Sequence, residues 1–297
     1  MLRLPLLGSN LSLSTSLRAA RRRPFKTLAP LALATSVGIA NAGFEELYLA
    51  GNLPAQYAGV VPAGSFPTGA PPSGWTAWYE GGAPIPGTFI GVLNPGTEAQ
   101  HAPNPAFFRI GAAEGNNAVL LYTDGDAGGP EYGVETSLGE VLRAGRRYVL
   151  RADVGNIGSG TALATPYSTF GFYDLDGFPG YRIQLLAGGV VVAEDVDSVR
   201  PEEREWEPAR LVFTPGPNHP QLGQPLGIRL VNRNQPDVPG VRGIEVDFDD
   251  VRLDVTRVRA LPAPGSPAPR TWLWPMLLGL GGPWRLAAAD EPGASGR

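Results

Sequence analysis

Short runs in which apolar and polar residues alternate recur through the middle of the chain, separated by Gly, Pro, Asn and Asp. A period of two places successive side chains on opposite faces of a strand. Tyr148, Leu150, Ala152 and Val154 share one face, with Arg147, Arg151 and Asp153 on the other. Tyr181, Ile183 and Leu185 alternate with Arg182 and Gln184, and Ala187-Gly188-Gly189-Val190 then reads as a hairpin turn. Ala209, Leu211 and Phe213 repeat the pattern, as do Ile228 and Leu230, and Asn117 to Tyr122 is a nearly continuous apolar run. About ten strands with no long amphipathic helix predict an all-β fold, an antiparallel β-sandwich. One stretch breaks phase. In Val246-Asp247-Phe248-Asp249-Asp250-Val251-Arg252-Leu253, the apolar positions are even-numbered before the Asp pair and odd-numbered after it. A strand changes phase in that way through a bulge, which here would either be a packing irregularity or present carboxylates to a cation.

Composition agrees with this reading. Forty Gly and 31 Pro argue against a helical bundle, because both residues interrupt helices. A chain that is 43% hydrophobic and 18% charged is too apolar to stay solvated and disordered. The absence of Cys excludes disulfides, thiolate metal sites and a cysteine nucleophile, and two His (His101 and His219) leave little for imidazole chemistry. The net charge of −4 averages unlike segments. Residues 1–42 hold six basic residues and no acid, whereas residues 43–260 hold 26 acids against 15 arginines. So acidic a segment, with no basic stripe, predicts no nucleic-acid partner, since that affinity comes largely from phosphate neutralisation.

The two ends read as addresses around a domain at 43–260. Arg21-Arg22-Arg23-Pro24-Phe25-Lys26, the apolar run Leu28–Ile39 and Ala40-Asn41-Ala42 have the layout of a signal peptide over residues 1–42, with cleavage before Gly43. Arg22-Arg23 with Phe25-Lys26 also resembles a twin-arginine export motif. At the other end, residues 261–297 combine a Pro-rich linker, a short apolar segment over 271–285 and Arg285. Pro262-Ala263-Pro264-Gly265-Ser266 in that setting resembles the PEP-CTERM sorting tails of Gram-negative exported proteins, with Ala263 in place of the acid. The resemblance implies export to the cell surface or outside it, handling by export and sorting machinery, and transient membrane retention through 271–285.

Four motifs in order carry a second resemblance. Gly43-Phe44-Glu45-Glu46, Ser73-Gly74-Trp75, Ala113-Glu114-Gly115-Asn116-Asn117-Ala118-Val119 and Phe248-Asp249-Asp250-Val251-Arg252-Leu253 resemble galactose-binding-like jelly rolls, including carbohydrate-binding modules of bacterial xylanases and cellulases. That resemblance implies a structural Ca²⁺ held by Glu45, Glu114 and Asp249, with oxygen from around Asn117. The chemistry suits calcium, which takes six to eight oxygen ligands and needs neither Cys nor His. Solvation or pairing with Arg is the alternative for these acids. Asp124-Gly125-Asp126-Ala127-Gly128-Gly129 superficially follows a calcium loop and, like Asp174-Leu175-Asp176-Gly177, reads as an ordinary turn.

No nucleophile elbow, phosphate loop or metalloprotease motif occurs, and no carboxylate pair stands out for glycosidase chemistry. Aromatics are concentrated instead: six lie between Tyr167 and Tyr181. Trp75 and Tyr181 read as core. Trp78, Tyr79, Tyr167, Tyr173 and Phe178 form a candidate sugar-stacking platform. The expectation is a non-catalytic, exported surface or matrix module, stabilised by calcium and binding polysaccharide. A purely structural envelope protein and a carboxylate-dependent glycoside hydrolase are the alternatives.

Overall fold

The computed structural model describes residues 34–46, 61–67, 69–124, 128–175, 177–235, 237 and 243–258. The expected basic leader residues, the sorting tail and parts of both acidic turns lie outside the described residues. The strands are β1 (Ala34–Val37), β2 (Thr76–Tyr79), β3 (Thr88–Leu93), β4 (Ala118–Thr123), β5 (Tyr132–Val141), β6 (Arg146–Asn156) and β7 (Gly160–Thr161). They continue with β8 (Phe172–Tyr173), β9 (Tyr181–Ala187), β10 (Val190–Val196), β11 (Glu205–Phe213), β12 (Pro225–Asn232) and β13 (Ile244–Arg257). A short helix, α1 (Glu98–His101), is closed by a capping box between Thr97 and Gln100, and Tyr167–Phe170 forms a 3₁₀ turn.

Two antiparallel sheets face each other. The first runs β11-β6-β13-β4-β3, with β1 on the far end of β13, and the second runs β10-β9-β12-β5-β2. The side chains that alternate inward in the sequence fill the space between them: Tyr148, Leu150 and Val154 from β6, Phe248 from β13, and Tyr132, Tyr181, Leu185 and Ile228 from the second sheet. Each fully buried side chain of this size contributes roughly 1.5–3 kcal/mol. Trp75 and Tyr181 belong to this core, as the strand pattern predicts.

The phase break in β13 is a bulge. Asp249 pairs with Asp153 and Arg252 with Arg151, so one strand carries extra residues, and Asp250 sits at φ 48. The shift lets Val246 and Phe248 before it, and Val251 and Leu253 after it, all reach the core. The opposite face of the same strand carries Glu245, Asp247 and Asp249, and all three are buried. They are covered because the segments β3–β4 (residues 94–117) and β6–β9 (residues 157–180) cross that outer face, bringing a second apolar cluster of Phe107, Phe108, Ile157 and Leu175 onto Leu93 and Leu120.

The described fold includes residues 34–42, upstream of Gly43. β1 pairs with Leu253–Thr256 of β13, Val37 and Ile39 pack against the core, and the Trp75 indole donates to the Asn41 carbonyl at 3.2 Å.

Candidate active site

The outer face of the first sheet holds a cavity of about 420 Å³. Its floor follows from strand register. Phe89 of β3, Tyr122 of β4 and Glu245 of β13 stand in one cross-strand row. Leu120 in β4 and Asp124, just past its end, flank Tyr122 at spacings of two, and all three line the cavity. The walls and roof come from the crossing segments: Phe66, Phe107, Ile157, Tyr167, Phe170, Tyr173 and Leu175. The roof is an aromatic clasp between segments distant in sequence. The Phe66 ring lies 4.5 Å from that of Tyr167, 5.0 Å from Tyr173 in an edge-on arrangement and 6.1 Å from Phe107. The Tyr173 hydroxyl donates to the Tyr167 carbonyl at 3.1 Å, tying the clasp to its own loop.

One acid is built into this apolar wall. Glu245 is 5% exposed and Asp247, next along the same strand face, is 0% exposed. Neither oxygen of Asp247, nor Oε1 of Glu245, meets an N–H or O–H donor from the described residues. With no donor in reach, the two neighbouring carboxyl groups can satisfy one another only if one of them keeps its proton. Burial pushes Glu245 up to about 7, against the opposing effect of the hydrogen bond with Asp247. Burial also raises Asp247 well above the ordinary carboxylate range, with the charge of Glu245 adding to it. Tyr122 is pushed up to about 12, mainly by burial and then by the charges of Asp124 and Glu245, so its hydroxyl stays a donor. The arrangement sets a carboxyl group that holds its proton up to about pH 7, a phenol and aromatic side chains around one largely apolar cavity, which is equipment for proton donation to an apolar molecule.

The expected platform is divided between two sheets. Tyr167 and Tyr173 line the cavity, but with their rings turned onto Phe66 instead of toward solvent. Phe178 is 5% exposed and belongs to the sandwich core. Trp78 lies on the second sheet beneath the Arg229 guanidinium, 4.2 Å from its ring centroid, and Tyr79 packs against the core from the same strand. The loops carry these aromatics in order to cover a sheet, so no flat stacking surface results. Glu245, Tyr122, Phe66, Phe89 and Phe107 escape the sequence reading. The available signal was the run of acids at Glu245, Asp247 and Asp249 on one strand face with no basic residue among them.

The expected metal residues do converge. Glu45 Oε1 accepts from the Asn116 and Asn117 amides at 2.7 and 2.9 Å, and its Oε2 accepts from Asn117 Nδ2 at 3.2 Å. Asp249 accepts from the Glu114 amide at 2.7 Å and from that of Asp250 at 2.7 Å. A Cβ at Gly43 would stand 2.5 Å from Glu114 Oε2 and 3.8 Å from Asp249 Oδ1, so both carboxylates face the Gly43 backbone. Asn117 Oδ1 is buried without a donor. Burial holds Asp249 up at about 8, with the Glu114 and Asp250 amides acting in the opposite direction. Among the described residues, no three acids stand close enough together to make a metal site unaided. Glu45 is spent on the turn at 115–117, which leaves Glu114 and Asp249 as the facing pair. Glu135, which would close the superficial calcium loop, lies in β5 and is paired with Arg229 at 2.8 Å.

The family model described as HpiC1-like, HpiC1 cyclase, matches residues 35–254. The crystal structure of a Stig cyclase, Fisc, from Fischerella sp. TAU in complex with (3Z)-3-(1-methyl-2-pyrrolidinylidene)-3H-indole is similar at 31% identity and a TM-score of 0.60, over 76% of this chain and 100% of that one. A cyclase from Fischerella sp. TAU in complex with 4-(1H-indol-3-yl)butan-2-one is 32% identical with a TM-score of 0.57, over 76% of this chain and 99% of that one. An apo form of a cyclase from Fischerella sp. is 31% identical with a TM-score of 0.59, over 76% and 98% of the two chains. No curated protein matches the chain.

Proposed function

The chain belongs to the HpiC1-like cyclase family, and from that premise we propose that it closes a ring on a small, apolar, indole-bearing molecule with Glu245 as proton donor. Membership overturns the expectation of a non-catalytic module, along with its polysaccharide partner and its purely structural and glycosidase alternatives. The physical reason lies in the aromatic residues, several of which line a concave space of small-molecule size instead of presenting a flat face to a polymer. The observation that carries the proposal is the buried, partnerless Glu245–Asp247 pair at the wall of that space. The relatives' ligands, each containing an indole ring, support the substrate class.

In this reading the Glu245 proton adds to an unsaturated carbon of the substrate, and the π electrons of that bond take it up. The carbocation left behind is attacked by a neighbouring π bond, forming the new C–C bond. Loss of a proton to the carboxylate restores Glu245 and leaves an isomer of the starting compound. Phe66, Phe107 and Tyr167 line the space around the cation, where their π electrons would stabilise it and their bulk limits access of water. Tyr122 supplies a hydrogen bond for orientation. The test is turnover of indoles bearing an unsaturated chain at carbon 3, run in H₂O and D₂O. The expected product has the substrate's mass with one ring more and one double bond fewer, and carries one deuterium from D₂O. Turnover without deuterium uptake, or undiminished in Glu245→Gln, would overturn the assignment.

A Ca²⁺ ion is the second element of the proposal, on the buried oxygen of Asn117 and the facing carboxylates of Glu114 and Asp249. It would hold the 43–46 segment against β13 and takes no part in proton transfer. Two carboxylates aimed at one backbone position with no cation beside them favour it.

A further inference from the structure

We propose that the cavity carries, at its mouth, a seat for a positively charged centre with Asp124 as counter-charge, so that it prefers an aromatic amine or similar organic cation to the neutral analogue. This rests on the cavity being the ligand site of the cyclase reading.

The observations come from the floor strand. Leu120 and Tyr122 of β4 and Asp124, just past its end, line the cavity, and their exposure grows in that order, from buried through half-buried to exposed. That gradient runs from the bottom of the cavity to its opening. Asp124 is fixed there by its backbone: its amide donates to the Gly87 carbonyl at 2.7 Å. Gly87, at φ +81, allows the approach, since a Cβ would stand 2.3 Å from the Asp124 carbonyl oxygen. Yet its carboxylate takes no hydrogen bond and no ion pair among the described residues. Among the described residues that line the cavity, the charged ones are Asp124 and Glu245, both acids, with no Lys, Arg or His. Glu245 is buried in the cavity wall and Asp124 is exposed at the mouth, so a charged ligand entering the cavity meets the Asp124 carboxylate first. The rest of the lining is mostly aromatic, and ring faces attract cations by their quadrupole. A carboxylate without a partner beside aromatic faces repels an anion and selects a cation.

Two probes of the same shape test this: 4-(1H-indol-3-yl)butan-2-one, which is neutral, and 4-(1H-indol-3-yl)butan-2-amine, which is protonated at neutral pH. Calorimetric titration of the full chain at low salt should give about ten-fold tighter binding of the amine. Asp124→Asn should lower amine affinity to that of the ketone and leave the ketone unchanged, and Asp124→Ser should repeat the result. Added salt should narrow the gap, because Asp124 is exposed, while Glu245→Gln should leave the gap in place. Equal affinities in the wild type, a gap that survives both Asp124 substitutions, or one that closes in Glu245→Gln would overturn the seat alone. Failure of the ketone to bind would instead remove the indole-class reading on which the seat depends.

Discussion

The two faces of β13 are made from the same alternation between Glu245 and Leu253 and do opposite jobs. The inner face, Val246, Phe248, Val251 and Leu253, is buried by another sheet and holds the sandwich together. The outer face, Glu245, Asp247 and Asp249, is buried as completely, but by loops, and around polar groups. Burial of the first set stabilises the fold. Burial of the second costs free energy, because each carboxyl loses water, and Glu245 Oε1 and both oxygens of Asp247 meet no donor among the described residues. The molecule keeps a destabilised row of acids directly behind its core, and the difference teaches where function lies: it is the face whose burial packing alone does not explain.

Substitutions on the two faces should therefore separate activity from stability. The largest effect belongs to the outer face. Glu245→Gln keeps shape and burial but has no acidic proton, and should lower kcat by about 10²–10⁴-fold while the folded state remains at least as stable. A variant that loses both together would place Glu245 in the fold instead of the chemistry. On the inner face, Phe248→Ala should cost about 3–5 kcal/mol in denaturant unfolding, from lost burial and the cavity left behind. Whatever remains folded should still turn over substrate with the wild-type pH profile.

Calcium gives a smaller effect and tests where the outer row ends. EDTA should lower the midpoint of thermal unfolding by about 5–10 °C, the shift for a ligand near 100 times its Kd acting on a domain of this size. Asp249→Asn should lose that response, whereas Glu45→Gln, whose carboxylate is spent on the Asn116 and Asn117 amides, should weaken the turn but keep part of the response. An identical midpoint with and without chelator would remove the ion.

The inner face was legible in the sequence because alternation is a local signal. Tyr148 to Val154, Tyr181 to Leu185 and the hairpin at Gly188-Gly189 all stand where the pattern put them, and the phase break at Asp249-Asp250 is the bulge it implied. The site was not legible, for a physical reason. Polar residues opposite an apolar strand face ordinarily meet water, and Glu245, Asp247 and Asp249 are buried only because residues 94–117 and 157–180 fold across them. No periodicity announces what covers a sheet. Aromatics in the loop at 167–181 marked that region as special, but the sequence does not say whether Tyr167 and Tyr173 point out toward a polymer or in toward Phe66. The motifs at Glu45, Glu114, Asn117 and Asp249 meet in the fold, where Glu45 accepts from the Asn117 amide and Asp249 from the Glu114 amide.

The smallest effect, and the most direct reading of the two faces, is the dependence of stability on pH. Glu245 sits at about 7 in the folded protein against 4.5 when unfolded, raised by burial, and Asp247 is raised in the same sense. Between those values the folded state holds a proton that the unfolded state has released. Stability from Glu245 is thus fully present below about pH 4.5 and is lost as pH rises through about 7, at up to roughly 1.4 kcal/mol per pH unit. Salt-bridged surface acids act in the opposite direction and at lower pH, so the window from about pH 5 to 7 isolates the outer face. Urea unfolding at half-unit steps across that window, with Ca²⁺ present to keep Asp249 ionised, should show wild-type stability falling with pH. Glu245→Gln cannot release a proton and should give a flatter line, while Phe248→Ala should be displaced downward and run parallel to wild type. Parallel lines for wild type and Glu245→Gln would mean that Glu245 is ionised where it lies, and a cavity wall carrying a charged carboxylate could not donate the proton that ring closure requires.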